Sequence, residues 1–234
     1  MLLRALREEV LRANLELARR GLVLYTFGNV SAVDRRQGLV VIKPSGVEYD
    51  VLRAEDMVVT DLEGKIVEGR LKPSSDLDTH TLLYREFIGI GAVAHTHSEY
   101  ATSFAQAGMS IPALGTTHAD YFHGPVPVTL PLSDEAIHGR YVHETGMAIV
   151  ARFKAQPAKI DPMAVPACLV AGHAPFVWGK DAAEAAHHAV VLEAVARMAY
   201  RTLTLKAGAA EVSQALLDRH YRRKHGAAAT YGQG

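Results

Sequence analysis

The stretch Gly89-Ile-Gly-Ala-Val-Ala-His-Thr-His97 is the clearest indication in this chain of a buried strand and of where its chemistry lies. Its first six residues are small or β-branched and apolar, which predicts a short buried strand over 90–95. Side chains at positions i and i+2 of a strand point to the same face. His95 and His97 are therefore expected side by side where the strand leaves the core. Such a pair suits a divalent transition metal, although two solvent-facing histidines at a strand end would give the same pattern.

Helical and strand-like segments alternate along the whole chain. Apolar residues spaced three and four apart predict helices over 2–20, 75–87, 98–107, 133–154, 181–205 and 211–223. Short apolar runs predict strands over 22–25, 28–33, 39–42, 57–60, 65–68, 90–95 and 167–171, with a hairpin turn at Glu63-Gly64. The pattern contains no repeat, no low-complexity linker and no break in composition. The sequence therefore predicts a single α/β domain over residues 1–234.

The charge balance and the cysteine count narrow the class of protein. Lys plus Arg equals Asp plus Glu at 25 each, whereas a nucleic-acid surface needs a basic excess. No window approaches the length of uncharged apolar sequence that spans a membrane, and charged residues interrupt the N-terminal leucines, so no signal peptide is expected. The one cysteine, Cys168, lies in an apolar run and has no partner for an internal disulfide. A cytoplasmic protein that binds neither nucleic acid nor membrane is expected.

A third histidine follows another apolar run. His173, in Val170-Ala-Gly-His-Ala-Pro-Phe176, comes just past the strand predicted at 167–171. If that strand and the strand at 90–95 are neighbours that end at the same sheet edge, His173 joins His95 and His97. Asp76, at the start of a predicted helix, is the candidate carboxylate. Three histidines, with or without a carboxylate, favour Zn²⁺, with Mn²⁺ or Co²⁺ as alternatives.

Three pairs of small residues indicate where an anion would bind. Gly28-Asn29, Ser45-Gly46 and Ser74-Ser75 each lie at a strand or helix boundary, and Lys43 precedes the second pair. Ser74-Ser75 opens a helix, whose free N–H groups and dipole favour a negative charge. Each pair alone is typical of an ordinary turn or cap. Together they predict a phosphate-binding surface.

Two further segments contain candidate acid/base groups. Gly115-Thr-Thr-His-Ala-Asp-Tyr-Phe122 places Thr116 and Asp120 in an uncharged loop, where Asp120 is either a proton shuttle or an ordinary cap. The tail contains His220, Arg223 and, near its end, Tyr231. A basic helix end is usually solvated, but a docked phenol can donate a proton to an alkoxide.

These motifs resemble the class II sugar-phosphate aldolase/epimerase family over nearly the whole chain. The resemblance is carried by the segments 28–34 (GNVSAVD), 41–47 (VIKPSGV), 72–76 (KPSSD), 95–98 (HTHS), 115–122 (GTTHADYF) and the tail 220–233. The first four segments are shared with the aldolases of the family. The Thr-Thr-His-Ala-Asp segment and the Tyr-Gly-Gln tail are similar to the epimerases.

The resemblance implies a zinc-dependent epimerase that interconverts L-ribulose 5-phosphate and D-xylulose 5-phosphate, a step in the breakdown of L-arabinose or L-ascorbate. It implies retro-aldol cleavage of the C3–C4 bond and re-addition of the aldehyde through its other face. Asp120 and Tyr231 are implied as the two acid/base groups, and Asp76, His95, His97 and His173 as the metal ligands. The implied substrate and phosphate contacts are Gly28, Asn29, Lys43, Ser45, Gly46, Ser74, Ser75, Thr116, His220 and Arg223.

The resemblance also implies an architecture and an assembly. The expected fold is a central, largely antiparallel β-sheet flanked by helices. The expected assembly is a homotetramer with active sites between subunits, in which the tail, about 219–234, packs at a subunit interface and delivers Tyr231 to the neighbouring chain.

Two other functions stay open at the level of sequence. One is a class II aldolase that cleaves a ketose 1-phosphate of the fuculose or rhamnulose type, and the other is a non-catalytic homologue that acts as an interaction module. Asp76 stands where such aldolases carry a glutamate, which favours the epimerase. One departure from the epimerase pattern concerns His173, because Ala171 and Ala174 flank it where relatives have histidine and glycine. That change alters the residues next to His173 that could contact its ring, and such contacts influence metal affinity.

Overall fold

One seven-stranded sheet organises the chain. The computed structural model describes residues 1–156, 159–225 and 229. Its strands are β1 (Asn29–Asp34), β2 (Leu39–Ile42), β3 (Val58–Asp61), β4 (Ile66–Glu68), β5 (Ala92–His95), β6 (Ala167–Leu169) and β7 (Pro175–Gly179). They lie in the order β4-β3-β2-β1-β5-β7-β6, and every pairing between neighbours is antiparallel. The expected antiparallel sheet is confirmed.

Helices cover both faces of this sheet. They are α1 (Arg4–Arg19), α2 (Leu77–Glu86), α3 (Glu99–Gln106), α4 (Thr116–Ala119), α5 (Asp134–His138), α6 (Tyr141–Lys154), α7 (Ala182–Leu205) and α8 (Gln214–Lys224). Alternate strand residues point to opposite faces, so Val41 packs in the cluster with α1 and α7, whereas Val40 packs with α2 and α6. None of the helices in the described ranges is both long and apolar enough to cross a membrane.

The strand that carries the histidine pair lies in the middle of the sheet. β5 pairs with β1 on one side and with β7 on the other, and all four of its residues are buried. Its small residues are needed because other chain segments approach closely. A Cβ at Gly91, just before the strand, would overlap the Lys180 carbonyl, so only glycine fits there.

The structure corrects four expectations about elements. Residues 22–24 have no regular structure and a turn begins at Tyr25, because Leu24 and Tyr25 are exposed and have no strand to pair with. The helix expected over 133–154 is divided at Gly139, whose backbone leaves the helical region. The buried run Pro175–Gly179 is a strand that the sequence interpretation missed. Because this strand lies between β5 and β6, the strand expected at 167–171 is not a neighbour of β5.

Asn14 joins α1 to the strand that leads into the site. Its side chain is fully buried; the Nδ2 group donates to the carbonyl of Val30, and Oδ1 accepts from the Val30 N–H at 2.9 Å. β2 pairs with β1 only from Ser31 onwards, so the Asn14 amide continues the hydrogen bonding where β2 has ended.

Replacement of Asn14 by alanine is expected to lower the free energy of unfolding by about 2–3 kcal/mol, because it leaves buried groups of Val30 unpaired. Urea denaturation measures the change. The control is Arg12→Ala on the exposed face of the same helix, for which a change within about 0.5 kcal/mol is expected. Equal effects of the two substitutions would contradict this role for Asn14.

Candidate active site

Three imidazoles meet at one end of the sheet. His95 is the last residue of β5, His97 follows it by two positions, and His173 lies in the turn between β6 and β7. One nitrogen from each ring lies within 4.8 Å of the corresponding nitrogens of the other two. The ring centroids are 5.0–5.1 Å apart. Because β7 pairs with β5, the β6–β7 turn brings His173 to the histidine pair.

The donor chemistry of this three-histidine group fits a divalent cation. Nδ1 of His95 lies 2.9 Å from the carbonyl oxygen of Pro175, which can only accept, so Nδ1 carries the proton and Nε2 presents a lone pair. That Nε2 lies 3.2 Å from Nε2 of His97. Burial lowers the pKa of His173 to about 4 and lowers that of His97, so both rings are neutral at pH 7. Converging neutral imidazoles, one with its proton held by a carbonyl, are the donors that Zn²⁺ prefers.

Asp76 borders the three-histidine group without joining it. It is the residue before α2, and its Oδ2 accepts a hydrogen bond of 2.7 Å from Nδ2 of Asn29. Burial opposes ionisation, but the neighbouring His95 and His80 rings and the Asn29 hydrogen bond hold the pKa of the Asp76 carboxyl below its usual range. Asp76 is therefore an anion beside the site. Its service as a fourth metal ligand stays a prediction.

The three-histidine group opens into a cavity of about 530 Å³. Most of the residues singled out from the sequence line this cavity: Gly28, Asn29, Lys43, Ser45, Gly46, Ser74, Ser75, Asp76, His95, His97 and His173. Gly28 has a positive φ of 74°, and a Cβ there would lie 2.9 Å from the carbonyl oxygen of His95. The Gly-Asn turn is thus needed for the backbone to pass close to the metal-binding strand.

Sequence reasoning missed several residues of the cavity wall. These are Thr26, Phe27, Pro44, Tyr141 and Val142. The hydroxyl of Tyr141 lies 3.4 Å from Nδ1 of His173, so this phenol touches the third histidine. The sequence feature that could have indicated Tyr141 is the Gly139-Arg140 pair, because α5 ends at Gly139 and α6 starts after Arg140. Tyr141 is therefore the first residue of α6 and lines the cavity. A continuous helix over 133–154, as predicted from the sequence, does not place Tyr141 at a helix N-terminus.

Lys43 is a buried cation in the cavity wall. Its Nζ lies 3.3 Å from the carbonyl oxygens of Thr26 and Pro44 and 4.8 Å from the centroid of the Tyr49 ring. Burial lowers the pKa of Lys43 to about 8. Carbonyl dipoles and an aromatic face stabilise the ammonium ion only partly, so an anionic group that enters the cavity gains a strong charge-assisted hydrogen bond.

The remaining predicted residues form a separate cluster, the Asp120 corner, made of Thr116, Asp120, His220 and Arg223. Asp120 accepts from Nε and Nη2 of Arg223 at 2.9 and 2.6 Å and from Nδ1 of His220 at 3.0 Å. Burial raises the pKa of Asp120, but the hydrogen bonds from Arg223 and His220 outweigh it and hold the pKa below its usual range. In the described part of the chain, none of the four lines the 530 Å³ cavity. Tyr231 lies outside the described residues.

Comparison with known proteins places the chain among relatives of similar length. A curated protein of Salmonella paratyphi A, named L-ribulose-5-phosphate 4-epimerase UlaF, is 51% identical over 228 residues, covering 97% of this chain and 98% of that protein. A protein of the same name from Salmonella paratyphi B is 50% identical over the same coverage.

Solved structures agree on the fold. An L-fuculose 1-phosphate aldolase superposes with a TM-score of 0.77 at 23% identity, covering 94% of this chain and 95% of that one. An L-fuculose-1-phosphate aldolase from Thermus thermophilus has a TM-score of 0.66 at 26% identity, covering 88% of this chain and 100% of that one. The family model for the Class II Aldolase and Adducin N-terminal domain matches residues 8–200. The chain belongs to the class II aldolase and adducin family, as its motifs had indicated.

Proposed function

We propose that this chain interconverts L-ribulose 5-phosphate and D-xylulose 5-phosphate by opening and re-forming the C3–C4 bond of the sugar. The observation that carries the proposal is one cavity in which three converging imidazoles adjoin a buried lysine and small hydrogen-bonding residues. Relatives of 50–51% identity over 97% of the chain bear the name of this epimerase, which supports the choice of substrate. The buried single cysteine, Cys168, agrees with a cytoplasmic enzyme of L-arabinose or L-ascorbate breakdown.

His95, His97 and His173 would hold the metal, with Asp76 as the proposed fourth ligand. Zn²⁺ fits the nitrogen donors best, and Mn²⁺ or Co²⁺ are alternatives. A divalent ion bound there supplies Lewis-acid polarisation of the ketose oxygens. Asn29 holds the Asp76 carboxylate in place, and the Pro175 carbonyl holds the His95 ring. The protein groups thus orient the donors before substrate arrives.

The phosphate is proposed to bind at the other wall of the cavity. Ser74 and Ser75 precede α2, a ten-residue helix whose N-terminal N–H groups favour an anion. Lys43 supplies the positive charge, and the Ser45-Gly46 turn supplies a hydroxyl and a backbone N–H, since Gly46 has a positive φ of 70°. The substrate would therefore lie between the phosphate wall and the three-histidine group.

Asp120 and Tyr231 are proposed as the two proton-transfer groups, one on each face of the aldehyde. The Asp120 corner does not line the cavity of its own chain in the described residues, so a neighbouring copy would have to supply it. This supports a homotetramer with active sites between subunits and with the tail, about 219–234, at the interface. Arg223 and His220 keep Asp120 ionised, which is the form that accepts a proton.

Incubation of the Zn²⁺-loaded protein with L-ribulose 5-phosphate tests the proposal. The expected product is D-xylulose 5-phosphate, with at most traces of glycolaldehyde phosphate. The second candidate is an aldolase, which the structural likeness to L-fuculose 1-phosphate aldolases favours. Glycolaldehyde phosphate as the main product would establish the aldolase in place of the epimerase. No conversion of either kind by metal-loaded protein would favour an interaction module.

Replacement of Lys43 by methionine is expected to raise the KM for the sugar phosphate by about 10–100-fold with little change in kcat, because a charge-assisted hydrogen bond to the phosphate is lost. For the wild type, KM should rise as the pH passes about 8, where Lys43 loses its proton, and the rise should be absent in the variant. Steady-state kinetics from about pH 6.5 to about pH 9.5, a range on both sides of the Lys43 pKa, measures both effects. Lys65→Met, at an exposed turn, is the control.

Replacement of Tyr231 by phenylalanine is expected to slow epimerisation by a factor on the order of 10² while bound metal stays unchanged, because the phenol is a proposed proton donor. The rate of product formation and elemental analysis of the purified variant provide the two readouts. Tyr200→Phe, at an exposed position of α7, is the matched control. Turnover like that of the wild type in the Tyr231 variant would remove this residue from the mechanism.

A further inference from the structure

A buried chain of hydrogen bonds runs beneath the active site. Oγ of Ser31, on β1, lies 2.7 Å from the hydroxyl of Tyr84 and 2.7 Å from Nδ1 of His80. All three side chains are fully buried, and none of them lines the 530 Å³ cavity. Tyr84 and His80 are one turn apart on α2, so both reach the same serine. Polar groups this deep in a core are retained only when they are paired.

The series of hydrogen bonds ends at His80, near Asp76, the proposed metal ligand. When each hydroxyl donates in the order Tyr84 to Ser31 to His80, the proton of the neutral imidazole lies on Nε2. Nε2 of His80 has no hydrogen-bond partner among the described residues, and neither has Oδ1 of Asn29. Asp76 is four residues before His80, hence on the same face of the helix, and Asn29 donates to it at 2.7 Å. The two buried atoms without a partner thus belong to the residue that donates to Asp76 and to a histidine that interacts electrostatically with it.

A second connection runs through an aromatic ring. The His80 ring meets Phe176 edge to face at a centroid distance of 5.9 Å. Phe176 in turn stacks on His95 at 4.2 Å with an interplanar angle of 18°. A change in the orientation of His80 therefore reaches the three-histidine group through packed rings as well as through Asp76. The two routes converge on the same end of β5.

We propose that Tyr84, Ser31 and His80 form a positioning relay for the metal centre, in which Nε2–H of His80 holds the Asp76 carboxylate through one buried water shared with Asn29. Asp76 then receives two fixed donors, from Asn29 and from the His80 side, and its remaining lone pairs are directed to the cavity. His80 is a positioning residue, because it acts through Asp76 and Phe176 and does not touch the cavity. This inference rests on the metal dependence in the proposed function and not on the identity of the sugar.

The experiment breaks the relay at its far end, where the structural disturbance is smallest. Tyr84→Phe and Ser31→Ala each remove one hydroxyl and leave the His80 ring in place. Zn²⁺ affinity is measured by competition with a chromophoric chelator, and the Co²⁺-substituted protein is examined by visible absorption. We expect each variant to bind Zn²⁺ about 10-fold more weakly and to shift the d–d bands of Co²⁺, as loss of an outer partner does at metal sites.

The control is Thr81→Val, which removes a buried hydroxyl from the same helix outside the relay. We expect it to lower the unfolding midpoint of the metal-free protein without a change in metal affinity or Co²⁺ spectrum. Equal metal affinity and identical spectra in the wild type, Tyr84→Phe and Ser31→Ala would overturn the inference, whatever their stability.

Two variants at His80 distinguish hydrogen-bond donation by this side chain from simple filling of space. His80→Gln retains an N–H donor near the position of Nε2, whereas His80→Leu retains only volume. Higher metal affinity in the glutamine variant than in the leucine variant supports the relay, and equal affinity in two folded variants overturns it. A protein that binds Zn²⁺ through an intact relay but does not convert L-ribulose 5-phosphate would contradict the proposed function alone.

Discussion

Replacement of His97 by asparagine is expected to abolish tight metal binding and to lower turnover by a factor on the order of 10³, because it removes one of three converging donors and the electrostatic stabilisation that the ion supplies. One nitrogen from each wild-type ring lies within 4.8 Å of those of the other two, so all three could hold the same ion. The asparagine amide is a weaker ligand than a neutral imidazole and does not reach as far. Elemental analysis and steady-state rates provide the measurements.

The fold should survive this substitution. His97 follows the end of β5 and lines the cavity, so its side chain is not part of the apolar core. Far-UV circular dichroism of the metal-free variant should match that of metal-free wild type. His138→Asn, at an exposed position of α5, is the matched control and should retain both metal and activity. A full complement of metal in the His97 variant would show that this residue is not a ligand.

Replacement of Asp120 by asparagine is expected to lower kcat by a factor on the order of 10³ with metal content unchanged. The amide matches the carboxylate in size but cannot accept a proton, and it gives up the charged contacts to Arg223 and His220. The pKa of Asp120 is held below its usual range, so this group is already ionised at mildly acidic pH. Asp120 does not change its charge between about pH 6 and 5, so the relative pH dependence of activity there should be the same in the wild type and the variant.

The control for Asp120 is a carboxylate of similar surroundings on α8. Asp218 also pairs with a histidine and an arginine, accepting from His123 at 2.7 Å and from Arg222 at 3.2 Å. Asp218→Asn should change kcat by no more than a few-fold, because it removes a paired carboxylate from α8 and leaves the proposed proton acceptor intact. Similar losses in both variants would assign Asp120 to the attachment of α8 instead of to proton transfer.

Mixing the two inactive variants tests the site between subunits. Chains with His97→Asn retain an intact Asp120 corner, and chains with Asp120→Asn retain an intact three-histidine group. When the two are unfolded together and refolded, some interfaces would combine the two intact halves. We expect activity to recover to a sizeable fraction of the wild-type value in the mixture. Absence of recovery in mixed oligomers would place both halves of the site in one chain.

Much of the candidate site is local in sequence, and this is why it could be predicted. His95 and His97 are expected on one face because side chains alternate along a strand, whatever the rest of the chain does. The pairs Ser45-Gly46 and Ser74-Ser75 lie at element boundaries that turn and capping chemistry marks directly. The antiparallel sheet came from the resemblance and not from periodicity, because apolar runs of four to six residues carry no information about which strands pair.

The remaining features depend on contacts between distant segments. The expectation that the strand at 167–171 adjoins β5 was wrong, because the strand that pairs with β5 is Pro175–Gly179. The sequence interpretation missed this strand, which begins with a proline. The Tyr141 hydroxyl lies at the site because the helix is broken at Gly139, and helix propensity alone did not predict that break. The relay from Tyr84 through Ser31 to His80 joins β1 to α2, and its residues look like ordinary core positions in the sequence.

The kinds of functional group in this protein and the local geometry of each motif follow from its residues alone, since dihedral preferences and side-chain periodicity act over a few residues. The meeting of His173 with His95 and His97, and the position of Asp120 away from them beside Arg223, depend on the folded chain. Those placements follow from the order of strands in the sheet and from helices packed on its faces. Such an order is selected by burial of apolar surface over the whole chain and not by any one segment.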